Sequence, residues 1–452
     1  MTLSRGALRG GGFFRFCKCM KMGVLAMKES NVWGIRPAEE VSKEINREES
    51  GVPEREIPSV LLRADGTRVT TAWEWIFRRR PEILDFYRKN VFGDPLPRPD
   101  QVVREVLSVK EGALGGAAIR REIRLTFRMA NGLSRSFIML LYLPAKASPS
   151  APVPVFVELN FRGNHASAGE KDCMETGFDV NGELVEKERS VQSGRLPAEL
   201  IVGRGFAVAT ACYYDIFPDF FTDFALSDGS LERKAWARSV YGMFFPGASM
   251  EALNRRYSAI GAWAWGLSRM LDALEGIPGV NCRQAAAVGH SRLGKTALWA
   301  GACDRRFQLV ASNDSGHGGA ALFKRCLGES VESLVSHFPH WFVEDFRRYA
   351  RKDADLEFDQ HFLLSLIAPR TLCIASATED WWADPRGEFL AGLHASEAYR
   401  LFGVRGMASE EMPPPDRYLD GEVNYHLRTG PHGIDARDWT HYLNAADRTF
   451  RG

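Results

Sequence analysis

Four short, almost uninterrupted apolar runs set the strongest limit on what this chain can fold into. They are Val155-Phe156-Val157-Glu158-Leu159, Gly205-Phe206-Ala207-Val208-Ala209, Ala285-Ala286-Ala287-Val288 and Thr371-Leu372-Cys373-Ile374-Ala375, with helix-sized stretches between them. A strand with one wet face alternates apolar and polar residues, whereas a strand covered on both faces does not, so these runs predict parallel strands inside an α/β sheet. Ahead of them, Ile119 to Leu143 alternates in two stretches around Asn131-Gly132, a pair that favours a tight hairpin, so antiparallel strands open the sheet. Ile260 to Leu274 places Trp263, Leu267, Met270, Leu271 and Leu274 at helical spacing and predicts an amphipathic helix.

Upstream, a helix is expected to start at Thr70-Thr71 with Trp73, Ile76 and Phe77 on its packed face. A second is expected from Pro81, carrying Ile83, Leu84, Phe86 and Tyr87 and stopping at Gly93. Asn31 to Pro58 is polar and reads as an extended lead-in. With no internal repeat and no Ser/Gly-rich linker, the expectation is a tail or lead-in over residues 1–50 and a single α/β domain over 51–452.

Composition removes several classes of function. The 452 residues carry 58 Lys and Arg against 57 Asp and Glu, so a formal charge of +1 provides no field to hold nucleic acid or an anionic membrane surface. No apolar run reaches the ~18 residues of a membrane helix, and the strongest, Phe137 to Leu143, has the length of a strand. The eight cysteines are scattered, and Cys17 and Cys19 lack the spacer of a zinc or redox motif, so mostly free, buried thiols are expected. Residues 1–28 are basic, but the apolar patch from Met22 to Met27 is shorter than the core of an export signal, so the segment reads as a tail or an over-extended start and leaves the compartment open.

The chemistry concentrates at Gly289-His290-Ser291-Arg292-Leu293-Gly294-Lys295-Thr296, between the third buried run and a helical pattern. It fits a phosphate loop, with Lys295 on terminal phosphates and Thr296 on magnesium. It also places Ser291 on a glycine-flanked strand-to-helix turn, close to the nucleophile elbow of serine hydrolases, with the second glycine one place late. Position favours the elbow, because a phosphate loop ordinarily follows the first parallel strand and at least two precede this one. An elbow demands an acid and then a histidine downstream. Asp314, ending the apolar run from Phe307, and Asp380, after the run Thr371 to Ala375, are the candidate acids. His432, in the Gly/Pro-bounded loop Gly430-Pro431-His432-Gly433, is the candidate base, with His426 and His441 as rivals. His337 and His340 do not make a metal site, since Pro339 separates them and no carboxylate stands at zincin spacing. Arg292 and Lys295 beside a nucleophile suit an anionic or hydroxyl-rich substrate and need no cofactor.

The serine motif resembles the Gly-Cys-Ser-Arg-x-Gly-Lys signature of glucuronoyl esterases, carbohydrate esterase family 15. Similar segments are Asn160 to His165, Ser312 to Ala320, His340-Trp341-Phe342, Glu379 to Pro385 and His426 to His432. The resemblance implies an α/β-hydrolase fold, a three-layer sandwich, that cleaves esters between (4-O-methyl-)glucuronic acid of glucuronoxylan and lignin alcohols. It implies Ser291 as nucleophile, His432 as base and Arg292 as an oxyanion donor. Lys295, Glu329 and Trp382 would then hold the sugar. Either Asp314 or Asp380 can be the triad acid in this family, and Asp380 is favoured here. His290 replaces the cysteine of fungal members, and His317 stands where many bacterial relatives have cysteine, which the sequence does not explain. The resemblance further implies a monomer that is secreted or periplasmic. Deacetylation of xylan, a phosphate-loop nucleotide-binding protein and a non-catalytic carbohydrate-binding relative are the alternatives.

Overall fold

The computed structural model describes residues 31–452. Its centre is a ten-stranded sheet: β1 (Gln101–Ala113), β2 (Ala118–Arg128), β3 (Ser134–Pro144), β4 (Val153–Asn160), β5 (Ala207–Cys212), β6 (Val280–His290), β7 (Phe307–Asn313), β8 (Thr371–Ala377), β9 (Tyr418–Leu419) and β10 (Val423–Arg428). The order across the sheet is β1-β2-β3-β5-β4-β6-β7-β8-β10-β9. β1, β2, β3 and β5 pair antiparallel, while β5, β4, β6, β7, β8 and β10 run parallel.

The four apolar runs all lie in the parallel block, and burial explains their lack of alternation. Ala285 and Ala287 face one apolar core and Ala286 and Val288 the other, so every position of the run is dry. One face is covered by α3 (Ala259–Leu274), α4 (Arg292–Cys303) and α6 (Pro385–Arg400), the other by α2 (Ala198–Gly203) and α7 (Ala436–Arg451). Two further helices, α1 (Ala38–Lys43) and α5 (Val331–His337), pack together at the side of this sandwich. The hairpin turn falls at Asn131-Gly132, where Gly132 takes φ 83° and Arg128 pairs with Ser134.

The helical stretch before the sheet departs from expectation. Residues 72–92 form one continuous run in which α-helical turns alternate with wide turns over Trp75–Arg79 and Arg88–Phe92. The buried positions are Trp75, Arg79, Ile83, Tyr87 and Val91, a four-residue spacing midway between α and π periods, with Phe92 added at the end of the run. Trp73 and Phe77, expected inside, are 56% and 63% exposed. Gly93, at φ 95°, ends the run where a Cβ would lie 2.6 Å from the carbonyl oxygen of Arg256. The edge strand β1 was not foreseen, because Val102, Val106 and Val109 are exposed and do not alternate.

The lead-in is not simply extended, since it contains α1. Ile35, Ala38 and Val41 are buried, Arg36 pairs with Glu332 at 2.8 Å and Glu49 with Arg325 at 2.7 Å. Cys173, Cys212 and Cys373 are free and buried, Cys282 and Cys326 half-buried and Cys303 exposed; Cys17 and Cys19 lie outside the described residues.

Candidate active site

In the parallel block the chain goes from β4 outward to β5, then crosses back to β6 and continues in the other direction. The crevice at the carboxyl ends of β4 and β6 is therefore the topological switch point, where open α/β sheets bind ligands. Ser291 sits there, between β6 and α4, at φ 57° and ψ −128°. A residue with a Cβ resists this conformation, and it holds because the neighbours over-determine it. The Ser291 amide donates to the carbonyl of Asn313 at 2.8 Å, and the Ser291 carbonyl accepts from Gly294 at 2.8 Å. The flanking glycines follow from crowding. A Cβ on Gly289 would lie 1.9 Å from the Leu293 carbonyl oxygen, and one on Gly294 would lie 2.9 Å from Cβ of Ser315. The glycine one place late is thus the residue at which α4 meets the loop after β7.

His432 Nδ1 and Asp380 Oδ2 are 2.6 Å apart, and the His432 ring lies against that of His290, with centroids 4.5 Å apart. Since His290 immediately precedes the serine, this contact sets the histidine loop beside the elbow. The loop is tied at several points. Arg428 donates to the carbonyls of Pro431 at 2.9 Å and Gly433 at 2.8 Å, Gly430 donates to Thr378 Oγ1 at 3.1 Å, and Glu379 donates to the Gly430 carbonyl at 2.9 Å. His290 itself is buried, with Nδ1 2.6 Å from Asn313 Oδ1. Burial, with the neighbouring His432 and Arg195, pushes it well below the ordinary histidine value.

Asp314 reaches the same place from β7. A ligand atom each from Asp314, Asp380 and His432 lies within 4.8 Å of the others, but Asp380 is the one on Nδ1, while Asp314 Oδ2 accepts from the Gly433 amide at 2.9 Å. Burial, reinforced by Asp380, raises Asp314 well above the usual carboxyl range, so it sits behind the pair and not on the imidazole. The rival histidines are engaged elsewhere: His426 bonds Asp438 at 2.8 Å, and His441 stacks on Tyr418.

Arg292 and Lys295, on the first turn of α4, flank the serine. The Arg292 guanidinium pairs with Asp219 and lies over the Trp341 ring at 4.7 Å and the Phe338 ring at 5.3 Å. Burial works against its charge, but Asp219 and Tyr213 outweigh that and hold Arg292 above its ordinary value. Lys295 is buried, donates to the Ser315 carbonyl and stands 3.5 Å from Glu329. Its burial lowers its pKa, with Glu329 opposing. Glu329 in turn is laid beside Trp382: its amide donates to the Trp382 carbonyl at 3.3 Å, and a Cβ on neighbouring Gly328 would lie 2.3 Å from that oxygen. Lys295, Glu329 and half-buried Trp382 are thus joined in one chain of contacts from α4, with Trp381 edge-on to Trp382 at 5.3 Å.

The phosphate-loop alternative fails on these contacts. Thr296 is fully buried with its hydroxyl on the Arg292 carbonyl at 3.0 Å, where it cannot reach a magnesium ion, and Lys295 is held on Ser315 and Glu329, beside an acid that would repel a phosphate. His317, unexplained by sequence, is fully buried against Phe323 near Lys295; burial and that lysine push it down to about 3.

Two residues of the site escaped the sequence reading. Glu388, fully buried on α6, accepts from the Ser315 amide at 2.9 Å, the Gly316 amide at 3.0 Å and Ser376 Oγ at 2.6 Å, which fixes the loop that Lys295 grips. Asp219 is the counter-ion of Arg292. A buried guanidinium requires an acid, so the signal existed in principle, but nothing in Phe217-Pro218-Asp219-Phe220 marks which acid answers it.

A strained serine after a central parallel strand, with an acid-bound histidine arriving from beyond the last parallel strand, defines a serine hydrolase of the α/β-hydrolase class. A family model described as "Glucuronyl esterase, fungi" matches residues 240–403. Carbohydrate esterase MZ0003, from an unknown prokaryotic organism, is 38% identical over 419 residues, covering 90% of this chain and 92% of its own. Among solved structures, a glucuronoyl esterase from Solibacter usitatus superposes with TM-score 0.81 at 37% identity, covering 89% of this chain and 100% of its own. A promiscuous esterase of carbohydrate esterase family 15 from a marine bacterial metagenome superposes with TM-score 0.79 at 37% identity, covering 90% and 100%. The chain belongs to the glucuronoyl esterase family, carbohydrate esterase family 15.

Proposed function

We propose that this enzyme hydrolyses esters of glucuronic acid or its 4-O-methyl ether, as they occur between glucuronoxylan and lignin alcohols, through an acyl-enzyme on Ser291. The observation that carries the reading is the strained Ser291 beside the Asp380–His432 pair, with Lys295, Glu329 and Trp382 on one flank. Ser291 Oγ attacks the uronate carbonyl as His432 takes its proton, and His432 returns that proton to the departing alcohol. Water then enters, gives one proton to His432 and attacks the acyl carbon. Glucuronate leaves and Ser291 regains the proton. Asp380 orients the imidazole and stabilises its charged form. The amide of Arg292, in the first turn of α4 where amides have no helical acceptor, and its guanidinium serve the oxyanion. Lys295 and Glu329 offer a donor and an acceptor to sugar hydroxyls, and Trp382 an apolar face. Asp314 holds the Gly433 amide and with it the histidine loop. No step calls on a metal or cofactor, and the chain acts as a monomer outside the cytoplasm, where its polymeric substrate lies.

Release of benzyl alcohol from benzyl glucuronate by the wild type, lost in Ser291→Ala and retained in Thr296→Ala, is the expected result. Acetate release from acetylated xylan, run in parallel because one structural relative is described as promiscuous, would replace this substrate assignment if it occurred without turnover of the benzyl ester.

A further inference from the structure

Asp219 is 4% exposed and accepts five hydrogen bonds on two oxygens. Oδ1 receives His340 Nε2 at 2.6 Å, Trp341 Nε1 at 2.9 Å and the Phe220 amide at 3.1 Å; Oδ2 receives the Tyr213 hydroxyl at 2.9 Å and Arg292 Nη1. Burial alone would make this carboxyl hard to ionise, but Arg292, His340 and Trp341 hold it well below the usual range. Arg292 is correspondingly constrained: Nη1 is on Asp219, Nε is buried with no partner among the described residues, and the guanidinium plane rests on Trp341. These contacts engage Nη1 and enclose Nε but not Nη2, and the side chain keeps 24% of its surface exposed.

This matters because the reaction changes the charge of what Arg292 faces. An ester carbonyl is neutral, the tetrahedral intermediate carries its charge on one oxygen, and the product is a carboxylate with two. A free guanidinium takes a carboxylate through a two-donor fork and holds it firmly. We infer that Asp219 is a positioning residue that fixes Arg292 beside Ser291 as a single donor and offsets its charge, so that the site serves the one-oxygen oxyanion and lets the carboxylate product go. The inference rests on the esterase reading above.

The test compares benzyl glucuronate turnover with calorimetric binding of sodium glucuronate in wild type, Asp219→Asn, Tyr213→Phe and Arg292→Gln, and in the Asp219→Asn/Arg292→Gln pair. Asp219→Asn is expected to lower kcat about tenfold or more while glucuronate binds about fivefold tighter, since an uncompensated guanidinium is left facing the product. In the Arg292→Gln background the Asp219 substitution should change neither quantity appreciably. Tyr213→Phe, which leaves Oδ2 to Arg292 alone, should weaken glucuronate binding. If Asp219→Asn does not fold, the sign of the Tyr213→Phe change decides. Unchanged or weaker product binding in Asp219→Asn, an equal effect without Arg292, or tighter binding in Tyr213→Phe overturns the inference. A wild type inactive on the ester would instead overturn the esterase reading, and the binding comparison does not depend on turnover.

Discussion

Ser291 occupies φ 57° and ψ −128°, a region in which a Cβ is crowded and glycine is at ease. Strain of this kind is of order 1–3 kcal/mol and is tolerated where the position of the side chain matters. Two substitutions separate the chemistry from the strain. Ser291→Ala keeps the Cβ and is expected to lose at least about 10³-fold in kcat with unfolding unchanged. Ser291→Gly should be equally inactive yet more stable than Ser291→Ala by about 1 kcal/mol, the reverse of what glycine does in an ordinary helix or strand. Paired urea titrations check this, and equal midpoints would mean that the elbow stores no strain. The same residue shows what a sequence can reveal at this scale. The elbow was legible because glycine, serine and glycine are forced by contacts within eight residues of chain and around the adjoining strand end. Asp219 was not, because its five donors come from Tyr213, Phe220, Arg292, His340 and Trp341, and no local pattern joins such distant positions.

At the scale of elements, periodicity predicted the parallel strands, α3 and the packed residues Ile83, Leu84, Phe86 and Tyr87 ahead of Gly93, and failed at Trp73 and Phe77. A regular helix at 3.6 residues per turn groups Trp73, Ile76 and Phe77, whereas the wide turns at 75–79 and 88–92 stretch the repeat to four and bring Trp75 and Val91 into line with the expected Ile83 and Tyr87, leaving Trp73 and Phe77 outside. No residue type announces a wide turn, so the sequence pattern alone assigns the wrong face. The energetic consequence is large. Trp75 is fully buried, and Trp75→Ala should cost about 3–5 kcal/mol, whereas Trp73→Ala, on the solvent face, should change stability by no more than about 0.5 kcal/mol. Denaturant unfolding of the two variants tests the assignment, and comparable losses would show that the helix presents both faces to the protein. The strands behave differently because a residue covered on both sides needs no particular phase. That is why Ala285-Ala286-Ala287-Val288 could be placed from sequence while the half-exposed β1 could not.

For the molecule as a whole, the buried polar apparatus has a cost that depends on pH. Burial pushes Glu158 and Glu388 up to about 8, Asp353 up to about 7, and Asp215 and Asp359 up to about 6, each opposed by hydrogen bonds that do not fully compensate. Such groups stay protonated in the folded protein while the unfolded chain ionises at ordinary carboxyl values, near 4. Between those limits the folded state binds more protons than the unfolded one, so stability declines as pH rises. The contribution is intact below about pH 4 and fades progressively up to about pH 8. Asp219 and Asp172, held well below the usual range, act in the opposite sense, but their stabilisation is lost only in stronger acid. His290, His317, His361, His394 and His441, all pushed by burial below the ordinary histidine value, act against this trend below about pH 6.5, so it is from about pH 6.5 to pH 8 that Tm should fall. Glu158 offers the clearest test, because it borders a cavity of about 20 Å³ together with Asn160, Phe161 and His290, room for about one water, too little to solvate a carboxylate fully. Glu158→Gln retains the shape, cannot ionise and should raise stability at pH 8 by about 1 kcal/mol or more while leaving that at pH 4 nearly unchanged. A thermal melt of both proteins across this range decides it. If the two lines stay parallel, Glu158 ionises in the folded protein as it does in the unfolded one, and the pH response must then be sought in the other raised carboxyls, Glu388 foremost, whose bonds to Ser315 and Gly316 would carry any loss of its proton directly to the loop that Lys295 grips.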